Sequence, residues 1–316
     1  MFIFFFSLFL TTLLNALPGN AAPFVAEKRA IDTNLLQTFR LMSQYSSAAY
    51  CSSNFNSTGD QIQCESGNCP LVEQADSATV LEYSRAETST DVTGFVAIDH
   101  TNKAIVLSFR GSLSIDNWLT NLDFDLVKTD ICPDCTAHSG FWNSWVDARG
   151  TVLPAVKAAS ERYPAYQISV TGHSLGGAIA PFAAAQLRNQ GFSTSLYTFG
   201  SPRIGGRKLS AYISNQAGGN YRVTHRNDPV PRLPMLLMGY VHISPEYYID
   251  KKSRVAITEN DFQVYNGAVN WKGNNAWLIT SIEAHRWYFT KMYLCGDLTI
   301  TIDVDALAGV DVVAKF

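Results

Sequence analysis

A serine, a histidine and a carboxylate can together cleave an acyl bond when the three meet in space. This chain carries one serine in a setting suited to that work. Residues 166–180 read Tyr-Gln-Ile-Ser-Val-Thr-Gly-His-Ser-Leu-Gly-Gly-Ala-Ile-Ala. Gln167 to Thr171 alternates polar and apolar β-formers, Gly172-His173-Ser174-Leu175-Gly176 follows at once, and Ala178 to Leu187 continues as a helix dense in small residues. The order strand, G-x-S-x-G, helix is the context in which a serine is raised on a sharp turn as a nucleophile. So tight a turn strains the serine backbone. It also requires the glycines two residues to either side, because a Cβ there would strike the neighbouring strand or helix. The helix start beneath Ser174 aims backbone N–H groups at incoming negative charge.

Such a serine needs a base, and the base an orienting carboxylate, in the chain order serine, acid, histidine. The histidines downstream are His225, His242 and His285, and the acids weighed with them are Asp228, Asp250 and Asp261. The partners belong on loops at the carboxyl ends of strands, beside the serine. Asp228 lies just past the strand-like run Tyr221 to His225, in a loop stiffened by Pro229, Pro231 and Pro234. His285 opens the aromatic run that ends at Phe289. His225 and His242 fall inside strand-like runs and read as packed, hydrogen-bonded histidines. Asp250 precedes Lys251-Lys252 and reads as a solvated turn. The expected triad is therefore Ser174, Asp228 and His285. The developing oxyanion needs two donors. One is the backbone N–H of Leu175, and the other belongs to the loop after an earlier strand, Gly111-Ser112. On the residues alone, a turn-capping role for Ser112 is an equal alternative.

These groups must be carried by a scaffold. Asp32 to Ala49 has apolar residues at helical spacing, and strands are expected at Val80–Ser84, Gly94–Asp99, Ala104–Arg110, Ser195–Gly200 and Tyr221–His225. The run Ala104–Arg110 is apolar on both faces, as a central strand is. A long amphipathic helix is expected over Ser139–Ala159, with Pro154 inside it. Val241–Ile249 and Arg254–Ile257 read as a final β pair, and Ile279–Met292 as a helix. Strands alternating with helices predict an α/β fold, a mostly parallel sheet covered on both faces.

The 316 residues are 47% hydrophobic and 12% aromatic, enough for a sizeable core. A formal net charge of -3 with no basic run leaves nucleic acid no electrostatic footprint. Phe2 to Leu14 is an apolar run too short to span a bilayer, and it ends at Pro18-Gly19 and Asn20-Ala21-Ala22. Although a basic start is missing, this reads as a secretory signal. Lys28-Arg29 reads as a processing site, so residues 1–29 are expected to be signal peptide and short propeptide, and the protein secreted. The domain is expected over 30–295. The tail 296–316 is too charged for a membrane span or lipid anchor signal; an edge strand, a disordered end and a removed propeptide all remain open for it. Six cysteines in an exported chain imply disulfides, with about 15 pairings open. Proximity favours Cys64 with Cys69 and Cys132 with Cys135. No second C-x-x-C or histidine pair accompanies Cys132-Pro-Asp-Cys135 at ligand spacing, so no metal is expected. Asn56-Ser57-Thr58 is a glycosylation sequon.

Five segments are similar to those of a known family: Ser108-Phe109-Arg110-Gly111-Ser112, Gly172 to Ala178, Asn227 to Pro234, Ser244-Pro245-Glu246-Tyr247-Tyr248 and Ala284 to Phe289. In this order they resemble the fungal class 3 lipases, over roughly residues 32–295. The resemblance implies a secreted triacylglycerol lipase of the α/β-hydrolase fold, with Ser174 as nucleophile, Asp228 as orienting acid and His285 as base. It further implies Ser112 and Leu175 as oxyanion donors, and Tyr50 lining the site near them. The bridges it implies are Cys51–Cys295, Cys64–Cys69 and Cys132–Cys135. Ile115, Trp118, Leu119 and Leu122 fall at i, i+3, i+4, i+7, one face of a short helix beside Ser112. That helix resembles the family's lid. Baring its large side chains to water costs about 1.5–3 kcal/mol each, a cost that a lipid surface cancels. The resemblance thus implies hydrolysis of acylglycerols through an acyl-enzyme, with transient contact at lipid surfaces, no cofactor and no protein partner. A feruloyl esterase of the same family has a more polar segment at the lid. Selectivity for mono- or diacylglycerols or for phospholipids stands as a further alternative. A catalytically dead binding module would lack a triad member, and none is missing. Two departures stand out: the tail is longer than in many members, and apolar Leu113 follows Ser112 where some relatives have a polar residue.

Overall fold

Strands with no wet face must lie between neighbours, with covering layers above and below. Ala104–Phe109 is buried throughout and Gln167–His173 at all but its first residue. They are the centre of the molecule. The computed structural model describes residues 30–83, 90–120, 124–293 and 295, with the backbone alone at Asp116 and Asn117. The expected leader, Leu122 of the lid and the tail 296–316 lie outside the described residues.

Among the described residues, eight strands form one sheet: β1 (Ser77–Tyr83), β2 (Gly94–Asp99), β3 (Ala104–Phe109), β4 (Gln167–His173), β5 (Thr194–Phe199), β6 (Asn220–His225), β7 (Glu246–Ile249) and β8 (Phe262–Tyr265). Their order in space is their order in the chain. β1, β2 and β3 pair antiparallel, β3 through β7 are parallel, and β8 closes the far edge antiparallel. The carboxyl ends of the parallel strands therefore share one side, where side chains from distant parts of the chain can converge.

Besides a short helix at Pro70–Glu73, the helices among the described residues are α1 (Thr33–Ala48), α2 (Ile115–Thr120), α3 (Ser139–Arg162), α4 (Leu175–Asn189), α5 (Arg207–Asn215) and α6 (Ile282–His285). Asp32 caps α1 by accepting from Leu35 N at 2.8 Å. That helix buries Leu36, Phe39, Met42 and Tyr45 against one face of the sheet, where Phe39 meets the rings of Tyr197, Tyr221, Tyr247 and Phe262. On the other face Trp145 of α3, Phe182 of α4 and Leu209 of α5 join one apolar cluster. Three disulfides join Cys51 to Cys295, Cys64 to Cys69 and Cys132 to Cys135. The first ties the end of α1 to the last described residue.

Two elements differ from the sequence reading. The strand in Val241–Ile249 covers only Glu246–Ile249, and its partner is Phe262–Tyr265 rather than Arg254–Ile257. Asp250-Lys251-Lys252-Ser253 turns the chain outward and leaves Val255 exposed. A capping box between Thr258 and Asp261 then returns it to fully buried Phe262. The expected helix Ile279–Met292 shrinks to Ile282–His285. Phe289 takes a positive φ of 64° and reverses the chain into a hairpin of Trp287–Tyr288 with Thr290–Lys291. Aromatic residues beside a threonine favour that extended form over a helix.

Candidate active site

The turn between β4 and α4 leaves no room for side chains. A Cβ on Gly172 would stand 2.4 Å from the Gly176 backbone, and one on Gly176 only 2.1 Å from Phe109 O. Ser174 takes φ 57°, ψ −124°, a strained conformation for a residue with a Cβ, and donates its N–H to Phe199 O at 3.0 Å. Its hydroxyl is buried without a hydrogen-bond partner.

Asp228 follows β6 and is fully buried. Its backbone N–H returns to His225 O, and Asn274 Nδ2 holds its carbonyl at 2.8 Å. The carboxylate accepts from Val230 N at 2.8 Å, from Tyr288 Oη at 2.5 Å and from His285 Nδ1 at 2.8 and 3.0 Å. Because Nδ1 faces a carboxylate it carries the ring proton, and Nε2 of a neutral His285 is the acceptor. That Nε2 is also buried and unpartnered. A hydroxyl and an imidazole lone pair buried without a protein partner each cost about 1–3 kcal/mol, so their persistence calls for a purpose. They share a neighbourhood: the His285 ring centroid lies 4.5 Å from that of His173, the residue before Ser174.

A cleft of about 610 Å³ lies beside Leu175, the residue after Ser174, and is lined also by Ser112, Leu113, Trp118 and Ile179 among others. Leu175 begins α4, so its N–H has no partner within the helix. Ser112, half-buried, presents its loop to the same cleft. In α2, Ile115 is buried, Trp118 and Leu119 are half-buried, and Trp118 stacks on Phe141 with centroids 6.1 Å apart. The apolar face of this helix thus points inward. Tyr50 is buried, its hydroxyl 2.8 Å from His173 Nδ1.

The other titratable groups weighed from the sequence have separate duties. His225 lies between Ala284 O at 2.9 Å and Lys251 O at 2.6 Å. His242 donates Nε2–H to Pro231 O at 2.6 Å and so steadies the proline-rich loop. Burial, then the charges of Arg222 and Arg203, hold His242 well below the usual histidine range. Asp250 is exposed, and Asp261 engages Thr258 and Lys251. Cys51, Cys64 and Cys295 bring their sulfurs within 4.8 Å of one another, but each is engaged in a disulfide. Asn56 is exposed.

Sequence reasoning missed Tyr288, Asn274 and the part played by His173. Tyr288 was within reach: it sits three residues after His285 in an aromatic run, and a buried phenol there needs a partner. Burial, then the charge of Asp228, keeps that phenol protonated far above its usual range. Asn274 carried no signal, because its role arises only when the loop before α6 folds over Asp228.

Comparison with known proteins gives concordant matches. A model for lipase (class 3) matches residues 106–238, and one for the lipase 3 N-terminal region matches residues 4–82. The secreted mono- and diacylglycerol lipase A of Penicillium cyclopium is 41% identical over 279 residues, 87% of this chain and 91% of that protein. The secreted mono- and diacylglycerol lipase 1 of Fusarium solani is 42% identical over 280 residues, 87% of this chain and 83% of its own. Among solved structures, a mono- and diacylglycerol lipase from Aspergillus oryzae superposes with a TM-score of 0.80 at 43% identity, covering 84% of this chain and 100% of that one.

Proposed function

The chain belongs to the class 3 lipases, carboxylic ester hydrolases of the α/β-hydrolase fold, and from that premise we propose that Ser174, Asp228 and His285 are its catalytic triad. Ser174 Oγ attacks the ester carbonyl while His285 Nε2 takes its proton. Asp228 holds the imidazole in the required tautomer and stabilises its charged form. The N–H of Leu175, with the N–H and hydroxyl of Ser112, receives the oxyanion. His285 then protonates the departing alcohol, and a water activated by the same nitrogen frees the fatty acid from the acyl-enzyme. The observation that carries this reading is the buried, unpartnered pair of Ser174 Oγ and His285 Nε2 behind a ring oriented by Asp228.

The substrate read from the lid is triacylglycerol at a lipid–water interface. Two stretches without a charged residue, Pro234 to Tyr240 and Ala276 to Ile282, flank the Asp228 loop. The first continues from it in the chain, and the second is joined to it through Arg232 Nη1 on Trp277 O and Asn227 Nδ2 on Ile279 O. They bare Leu237, Leu278 and Ile279, which are 98%, 97% and 80% exposed. Apolar side chains left in water around a cleft suit a surface that meets lipid. Partial glycerides are a second reading, favoured by the names of the Penicillium and Fusarium relatives. No described helix is long and apolar enough to cross a membrane. In keeping with its secreted relatives, the mature protein is read as an extracellular domain over 30–295, released from its leader and glycosylated at Asn56.

Fatty-acid release from tributyrin, followed above and below its solubility limit, tests both parts. The rate is expected to jump at saturation, and Ser174→Ala to lose about 10⁴-fold or more. A smooth hyperbola through saturation removes the lid from the reading, and an active Ser174→Ala removes the triad. Parallel assays on triolein, diolein and monoolein separate the two substrate readings.

A further inference from the structure

His285 sits at the end of a helix of only four residues, α6, and the stretch before it is bared to solvent at Leu278 and Ile279. Asp228 sets the rotation of its ring but does not grip its backbone. The backbone is gripped elsewhere. The carbonyl oxygen of His285 lies 2.8 Å from His173 Nε2. A carbonyl can only accept, so this nitrogen carries the hydrogen. Nδ1 of a neutral ring is then an acceptor, and the Tyr50 hydroxyl, 2.8 Å away, donates to it. Gly111 N–H faces the same hydroxyl, and a Cβ on Gly111 would stand only 1.9 Å from it. Tyr50 and His173 are 5% and 2% exposed, so little water competes for these bonds. Burial, then the neighbouring His285, holds His173 far below the usual histidine range, which keeps its donor and acceptor nitrogens in place near neutral pH.

We propose that His173, tied to Tyr50, is a positioning residue that holds the backbone of His285 in register with Ser174 and with the oxyanion loop at Gly111-Ser112. Three parts of the mechanism thereby share one neutral ring. His173 adjoins the nucleophile in the chain, bonds the base through its carbonyl, and reaches the oxyanion loop through the phenol. The inference rests on Ser174 and His285 being nucleophile and base.

Two amides divide the ring between them. In His173→Gln the side-chain nitrogen reaches the place of Nε2 and keeps the bond to His285 O. In His173→Asn the shorter amide still meets Tyr50 but falls short of His285. Displacing a catalytic group by a fraction of an ångström to one ångström costs up to about 10²-fold. His173→Asn is therefore expected to lower kcat about 10- to 100-fold with KM within about twofold, and His173→Gln to recover most of that loss. Tyr50→Phe is expected to lower kcat less, and Tyr50→Phe with His173→Asn to be no slower than His173→Asn alone. Equal kcat in the two amide variants, or losses that multiply in the double variant, would overturn the proposal. Nitrogen-15 spectra of the unaltered protein give a reading that needs no variant. His173 is expected as the neutral Nε2–H tautomer from about pH 5 to pH 8, where an ordinary histidine titrates; an imidazolium or an Nδ1–H tautomer in that range overturns it. Ser174→Ala keeps the two readings apart: if it stays active the triad is wrong, and if it is dead while His173→Asn is unaffected only the positioning role is lost.

Discussion

Asp228 shows how much one residue can hold together. Its carboxylate receives the Val230 N–H, the Tyr288 hydroxyl and His285 Nδ1, and its carbonyl is held by Asn274. An amide in its place can accept only through one oxygen, and its NH₂ group would face the phenol or the imidazole as a second donor. The imidazole would answer by taking the wrong tautomer, with its proton on the nitrogen that should accept from Ser174. Asp228→Asn is accordingly expected to lower kcat by about 10⁴-fold. KM should change little, because the carboxylate is buried away from the cleft. Steady-state kinetics on a soluble ester checks this, and a loss under tenfold would show that Asp228 does not orient the base.

At the level of elements, α2 is the lid of the proposed reading. Trp118 rests on Phe141, and Ile115 of the same helix is buried. A fully buried side chain of this size contributes about 1.5–3 kcal/mol, and half-buried Trp118 a share of that. Trp118→Ser is expected to raise the rate on dissolved tributyrin several-fold, up to about tenfold for 1.4 kcal/mol, and to flatten the jump at saturation. An unchanged ratio of the two rates would mean that α2 does not gate the cleft. Elements also mark where the sequence could be read and where it could not. The strand, elbow and helix around Ser174 were legible because the strained turn, the two glycines and the periodicity on either side agree with one another. Helix α1 was legible from its apolar spacing. The region after β7 was not. There β8 is recruited from beyond a lysine-rich turn by a capping box, and the segment after His285 folds as a hairpin because Phe289 adopts a left-handed backbone. Both outcomes depend on long-range partners, the edge of the sheet in one case and Asp228 in the other, and no window of ten residues contains them.

Across the whole molecule, two buried histidines tie stability to acidity. His173 and His242 both lie well below the usual histidine value in the folded protein, with burial the largest cause for each. The unfolded chain takes up protons near pH 6.5, before the folded one can. Their contribution is therefore complete above that point and is lost as pH falls below it, by up to about 1.4 kcal/mol per pH unit for each histidine. Urea unfolding from pH 7.5 down to 5 is expected to show a falling midpoint, with a gentler slope in His242→Gln; a flat or rising midpoint would contradict the assignment of neutral rings. The sheet has one more consequence, for biogenesis. Its strands lie in the order in which they are synthesised, and the groups they deliver follow suit: Ser112, Ser174, Asp228 and, last, His285. A ribosome that has passed the elbow has made a serine with nothing to deprotonate it. On the triad reading, every growing chain stays inert until its final stretch emerges, so the cell that manufactures this protein is spared its chemistry throughout translation.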